Sequence, residues 1–116
     1  MKEIKAYMRE FKAEEVINSL EEAGVPGVTV IKLQSTGKNI AKDARYSIDF
    51  CEKVSAIAKI EVVCLDEEVV KLVDIIQKTA YTGHKGDGMI FITNVEHAIK
   101  IKTGEWGEGA LLPTTE

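Results

Sequence analysis

The apolar residues change period twice along the chain, in the same order both times. Residues 2–9 alternate, with Ile4, Ala6 and Met8 on one face and Lys5 and Tyr7 on the other. That is the period of a strand. From Lys12 to Ala23 the spacing becomes helical. Val16, Ile17, Leu20 and Ala23 share a stripe, and Glu14, Glu15, Glu21 and Glu22 lie mostly outside it. Gly24 ends the helix, Pro26-Gly27 turns the chain, and the β-branched run 28–34 predicts a second strand. The order then recurs. Residues 57–65 predict a strand. Asp66 is placed to cap a helix running to about Thr79, with Val69, Leu72, Val73, Ile76 and Ala80 as its buried stripe. Residues 89–93 are a short apolar strand, and 98–102 (AIKIK) alternate as a further short one.

Two βαβ halves predict an α+β, ferredoxin-like βαββαβ sandwich: one antiparallel sheet with both helices on one face. A single helix layer leaves the other sheet face uncovered, and apolar residues fall on it. An oligomer is the economical way to bury them. The 116 residues suit one such domain, expected over 1–112 with a tail at 113–116. That length excludes separate cofactor and substrate lobes. A net charge of -4 argues against nucleic acid as a partner. No apolar run approaches the roughly 20 residues that span a bilayer. The opening MKEIKAYMREFK lacks the apolar core and cleavage site of a secretory signal. The expected location is cytoplasmic, where Cys51 and Cys64 stay reduced. Without CxxC spacing they predict no zinc or redox site. Cys64 is expected to be buried at the end of its strand.

Residues 35–53 break the pattern. The stretch is polar and without a sustained period, and a long loop in a compact domain tends to be functional or disordered. The strongest local signal is Thr82-Gly83-His84-Lys85-Gly86-Asp87-Gly88. Its glycines let the backbone turn tightly and present N–H groups to an anion, phosphate above all, with Lys85 adding charge. The same cluster also reads as a helix end followed by a hairpin-like turn. Lys100 and Lys102 would share a face of a strand. A polyphosphate would suit them, as would the guarding of an exposed edge. Ser35-Thr36-Gly37-Lys38 sits at a strand end and is not a P-loop, since the full motif and its helix are missing. No nucleophile or acid–base pair is positioned for catalysis. His84 and His97 lack partners at ligand spacing, so no metal site is expected. Asp87 reads either as a turn residue bonding its own backbone or as a ligand for a metal or ribose. Trp106 reads as a packing anchor.

These residues also carry a resemblance. TGHKGDGMIF at 82–91 resembles the TGxxGDGKIF signature, and AIKIKTGE at 98–105 resembles IRIRTGE, both of the PII signal-transduction proteins. The opening IKAYMREFKAEEVINSLEEAGVPGVTV has the same family's length and pattern. The resemblance covers the chain except residues 38–58. It implies a regulator and not an enzyme, a homotrimer associated with nitrogen metabolism, and adenine nucleotides bound in clefts between subunits. No cofactor is obligatory; the nucleotide is an effector, with or without Mg²⁺. Thr29 and Val63 would lie near the base. Gly37 and Lys38 would approach the phosphates from the long loop. Gly86, Asp87 and Gly88 would cradle them by backbone, with Met89 next in line, and Lys100 and Lys102 would add charge. The long loop, about 36–55, corresponds to the family's T-loop. It would meet a target protein through Asn39, Lys42, Arg45 and Tyr46, with a membrane transporter or a nitrogen-metabolism protein as the candidates.

The departures are specific. Met89 replaces a lysine, and Lys100 and Lys102 replace two arginines, which keeps charge but loses the bidentate fork. They imply weaker triphosphate binding or a nucleotide with fewer phosphates. Tyr46 matches the second, unmodified tyrosine of the family's YRGAEY segment, and Asn39 replaces the glutamine that helps bind 2-oxoglutarate. Uridylylation and 2-oxoglutarate sensing are both put in question. The segment YSIDFCEKVSAIAKIEVV looks more like PII-like subgroups outside the nitrogen-control core. The alternative is a trimer of related fold, of the CutA type, concerned with metal or ion tolerance without nucleotide sensing.

Overall fold

The computed structural model describes residues 1–36, 45–46 and 53–113; for 45–46 and 53–54 it describes the backbone alone. Strand β1 (Lys2–Arg9) is central. It pairs antiparallel on one side with β4 (Lys53–Cys64) and on the other with β5 (Gly88–Asn94). Strand β2 (Thr29–Ser35) pairs with the outer edge of β4, giving the order β2-β4-β1-β5. This is the open antiparallel sheet of the ferredoxin-like fold expected from the two βαβ halves. A two-residue strand, β3 (Arg45–Tyr46), pairs with the start of β4.

Helices α1 (Ala13–Glu22) and α2 (Val69–Ala80) share one face of the sheet. The alternation of β1 sends Ile4, Ala6 and Met8 under them, and Ala58, Ile60, Val62 and Cys64 of β4 join these. Val16 and Leu20 of α1 and Leu72 and Ile76 of α2 close the core from above. Each fully buried aliphatic side chain contributes about 1.5–3 kcal/mol over its exposed state, so this stripe-on-stripe contact is what holds the layers together.

The opposite face is open. The register sets Tyr7 beside Met89 and Lys59, and Lys5 beside Phe91 and Glu61. Met89, Phe91, Ile31 and Val63 are exposed there. Tyr7 and Phe91 meet edge to face at 5.9 Å, and the Lys59 ammonium lies 5.9 Å from the Tyr7 ring centre. The apolar content expected on this face is therefore present, interleaved with the Lys5–Glu3 and Lys59–Glu61 ion pairs.

Three expectations are corrected. Strand β4 begins at Lys53 and not at 57. Its first residues gain strand character from pairing, since Ser55 and Ala56 face Ser35 and Gln34 of β2. The turn before α2 is a short 3₁₀ segment, Asp66–Glu68, so Asp66 is not the cap. Its carboxylate instead takes the chain's N-terminal ammonium at 3.0 Å, and Glu68 accepts the Leu65 N–H at 3.0 Å. Residues 98–102 form no strand: a single bridge joins Ile99 to Trp106, and residues 101–103 turn.

Candidate functional site

Helix α2 ends at Ala80, and Tyr81 is extended. The chain must then reverse within a few residues to enter β5. Gly83, Gly86 and Gly88 make this possible with φ of 83°, 98° and 108°, a region that side chains with a Cβ rarely adopt. Gly88 is also required by space. A Cβ there would lie 1.8 Å from the Tyr7 carbonyl oxygen.

The loop is tied together by the Asp87 carboxylate. It accepts the N–H groups of Thr82 and Gly83, both at 2.9 Å, and the Thr82 hydroxyl. The Thr82 oxygen in turn accepts the His84 N–H at 3.2 Å. The fourth donor to Asp87 comes from a distant part of the sequence. Arg9 ends β1, is nearly buried, and donates Nε to Asp87 at 3.1 Å and Nη2 to the Lys85 carbonyl at 2.6 Å. Burial alone would raise the Asp87 pKa. The hydrogen bonds from Thr82, Arg9 and Gly83 outweigh it and hold the carboxyl well below the usual range. Asp87 is therefore an ionised brace inside the loop, as the turn reading expected. With four donors on its two oxygens it is not presented to a metal or ribose, and no metal-ligating cluster occurs among the described residues. What remains for a ligand is backbone: the N–H groups of Lys85 and Gly86 meet no acceptor among the described residues.

Among the described residues, the other expected site residues are not gathered around this loop within one chain. Met89 follows it and is 61% exposed, on the open face of the sheet. Thr29 opens β2 and Gly88 opens β5, so the two stand on opposite edge strands. Val63 pairs with Glu3, whereas Gly88 pairs with Met8; those rows are five residue steps apart along β1, about 17 Å of strand. Lys100 lies toward the Val63 end. Its ammonium donates to the Leu112 carbonyl, and Leu112 shares a 430 Å³ cleft with Val63 and Cys64. The shared strand face expected for Lys100 and Lys102 is absent, because Lys102 sits in a turn closed by the Gly104 N–H on the Lys100 carbonyl, 2.7 Å. Trp106 is 65% exposed and edge-on to His97 at 5.5 Å, so it does not anchor packing in this chain. Gly37, Lys38, Asn39 and Lys42 lie outside the described residues, as do the side chains of Arg45 and Tyr46 and the whole of Cys51.

The family model described as Nitrogen regulatory protein P-II matches residues 1–105. The chain belongs to the P-II family. It is similar to the nitrogen regulatory protein P-II of Bradyrhizobium diazoefficiens, with 40% identity over 116 residues, 96% of this chain and 100% of that relative. The proteins of the same name from Pasteurella multocida and Porphyra purpurea are 39% and 40% identical over the same shares. This P-II membership sets aside the CutA-type alternative. It does not change which contacts were missed. Arg9 is not among the residues the sequence points to, and Thr82 enters there only as the first residue of the glycine segment. The one available signal was a basic residue closing the first strand, and nothing local ties that to a loop 78 residues on.

Proposed function

We propose that this P-II family member is a signal-transduction regulator of nitrogen metabolism and not an enzyme. It acts as a homotrimer, binds an adenine nucleotide between subunits, and reports occupancy to a target protein through residues 36–55. The observation that carries the reading is the braced glycine loop, whose Lys85 and Gly86 N–H groups meet no acceptor among the described residues. Such a nest suits a phosphate. Thr29 and Gly88 on opposite sheet edges favour a site completed by a second copy, the β2 edge of one beside the β5 edge of the next. The exposed Met89, Phe91, Ile31 and Val63 give the copies an apolar face to share. Gly37 and Lys38 would link ligand to loop, so that a difference in their contacts shifts the loop's conformation.

Calorimetric titration of the purified oligomer with ATP, ADP and AMP, with and without Mg²⁺ and 2-oxoglutarate, tests this. Saturable binding of one nucleotide is expected, weakened at least tenfold by Lys100→Ala with the circular dichroism unchanged. An oligomer that binds none of them overturns the reading. A response to 2-oxoglutarate would show that Asn39 substitutes for the family's glutamine.

A further inference from the structure

The loop from Thr82 to Gly88 is held at both ends by α2 and β5, but its middle is held by β1. Arg9 reaches it with two separate donors. One goes to the Asp87 carboxylate, which gathers the start of the loop through Thr82 and Gly83. The other goes to the Lys85 carbonyl at the tip. With Lys85 O accepting from Arg9, the peptide between Lys85 and Gly86 is oriented: its carbonyl points at the guanidinium and its N–H, on Gly86, points the other way. Gly86 then takes φ 98°. We infer that Arg9 is a positioning residue for anion binding. It orients the Lys85–Gly86 peptide so that the Gly86 N–H faces the phosphate, while its Nε is held on Asp87.

This inference rests on the proposed nucleotide site. It assigns Arg9 no contact with the ligand. A lysine at this position would keep the charge but supply a single point contact, unable to hold Asp87 and the Lys85 carbonyl in a fixed fork. The geometry therefore separates a positioning role from a purely electrostatic one.

The test uses the full chain, in wild-type, Arg9→Gln and Arg9→Lys forms, titrated with adenosine and with ADP. Hydrogen exchange of the 82–88 amides is followed without ligand. The expected result is faster exchange in the loop of both variants, with an unaltered core. ADP affinity should fall at least tenfold in Arg9→Gln and several-fold in Arg9→Lys, with adenosine affinity within twofold of wild type. ADP affinity unchanged in Arg9→Gln overturns the inference. So does an equal loss for adenosine and ADP, which would make Arg9 a general structural residue. Full retention by Arg9→Lys overturns the fork in favour of charge alone. Should Arg9→Gln fail to fold, Arg9→Lys carries the comparison. Failure of the wild-type protein to bind ADP would instead reject the nucleotide site itself, and loop exchange would still report whether Arg9 anchors the loop.

Discussion

Gly88 lies against Tyr7 so closely that a β-carbon on the glycine would sit 1.8 Å from the tyrosine carbonyl oxygen. The first strand thus fixes where the glycine loop must end. Gly88→Ala cannot be accommodated by a rotamer change, because the obstacle is backbone and φ is 108°. The expected cost is about 3 kcal/mol or more, read by urea denaturation. Gly27→Ala is the control. Nothing lies within 4 Å of its added carbon, and a change within about 0.5 kcal/mol is expected there.

Asp87 has a pH signature. Its folded pKa is depressed, by the hydrogen bonds that outweigh burial. A depressed carboxylate contributes stability above its unfolded pKa, about 3.9, and loses it as pH falls toward the folded value. Asp87→Asn should therefore cost about 2 kcal/mol near neutral pH. That penalty should stay level above about pH 5 and shrink below about pH 4. A penalty independent of pH down to the acid transition would show that the charge on Asp87 is not what braces the loop.

The two faces of α2 differ in consequence. Leu72 is 2% exposed and Val70 81%. Leu72→Ala opens a cavity between helix and sheet and should cost about 2–5 kcal/mol. Val70→Ala should stay within about 0.5 kcal/mol. Thermal melts of the two variants check the assignment of the buried stripe.

Cys64 is buried at the end of β4, and burial, followed by the nearby Glu68 charge, raises its thiol pKa. A protonated, enclosed thiol is a poor nucleophile. Iodoacetamide at pH 8 should leave the Cys64 peptide unlabelled in the native protein and label it fully in denaturant, as read by mass spectrometry. Rapid native labelling would mean that the end of β4 opens readily.

Met89 is exposed directly after the loop, at the position where the resembled signature carries lysine. Met89→Lys adds one cation beside the proposed phosphates. ATP affinity should rise about tenfold relative to AMP at low salt, and the gain should shrink as salt is raised. An unchanged ratio would remove Met89 from the site.

Elements whose burial follows a local period were legible in the chain alone. β1 was legible because Ile4, Ala6 and Met8 alternate, and α1 because Val16 and Leu20 recur one turn apart; all five are buried. The glycine loop was legible because positive φ at Gly83, Gly86 and Gly88 needs that residue type. The rest came from pairing and packing between distant segments. Residues 98–102 alternate like a strand, yet they have no ladder partner beyond one bridge and remain a turn. Alternation states which face a residue would take, not whether an edge is available to pair with. Lys53–Ala56 show the converse, becoming strand because β2 and β3 lie beside them. The contact between Arg9 and Asp87 spans 78 residues. It exists because β1 and β5 are adjacent in the sheet, which brings the end of one strand to the loop that opens the other. The two βαβ halves imply that adjacency, but no period or motif along the chain encodes which side chains meet across it.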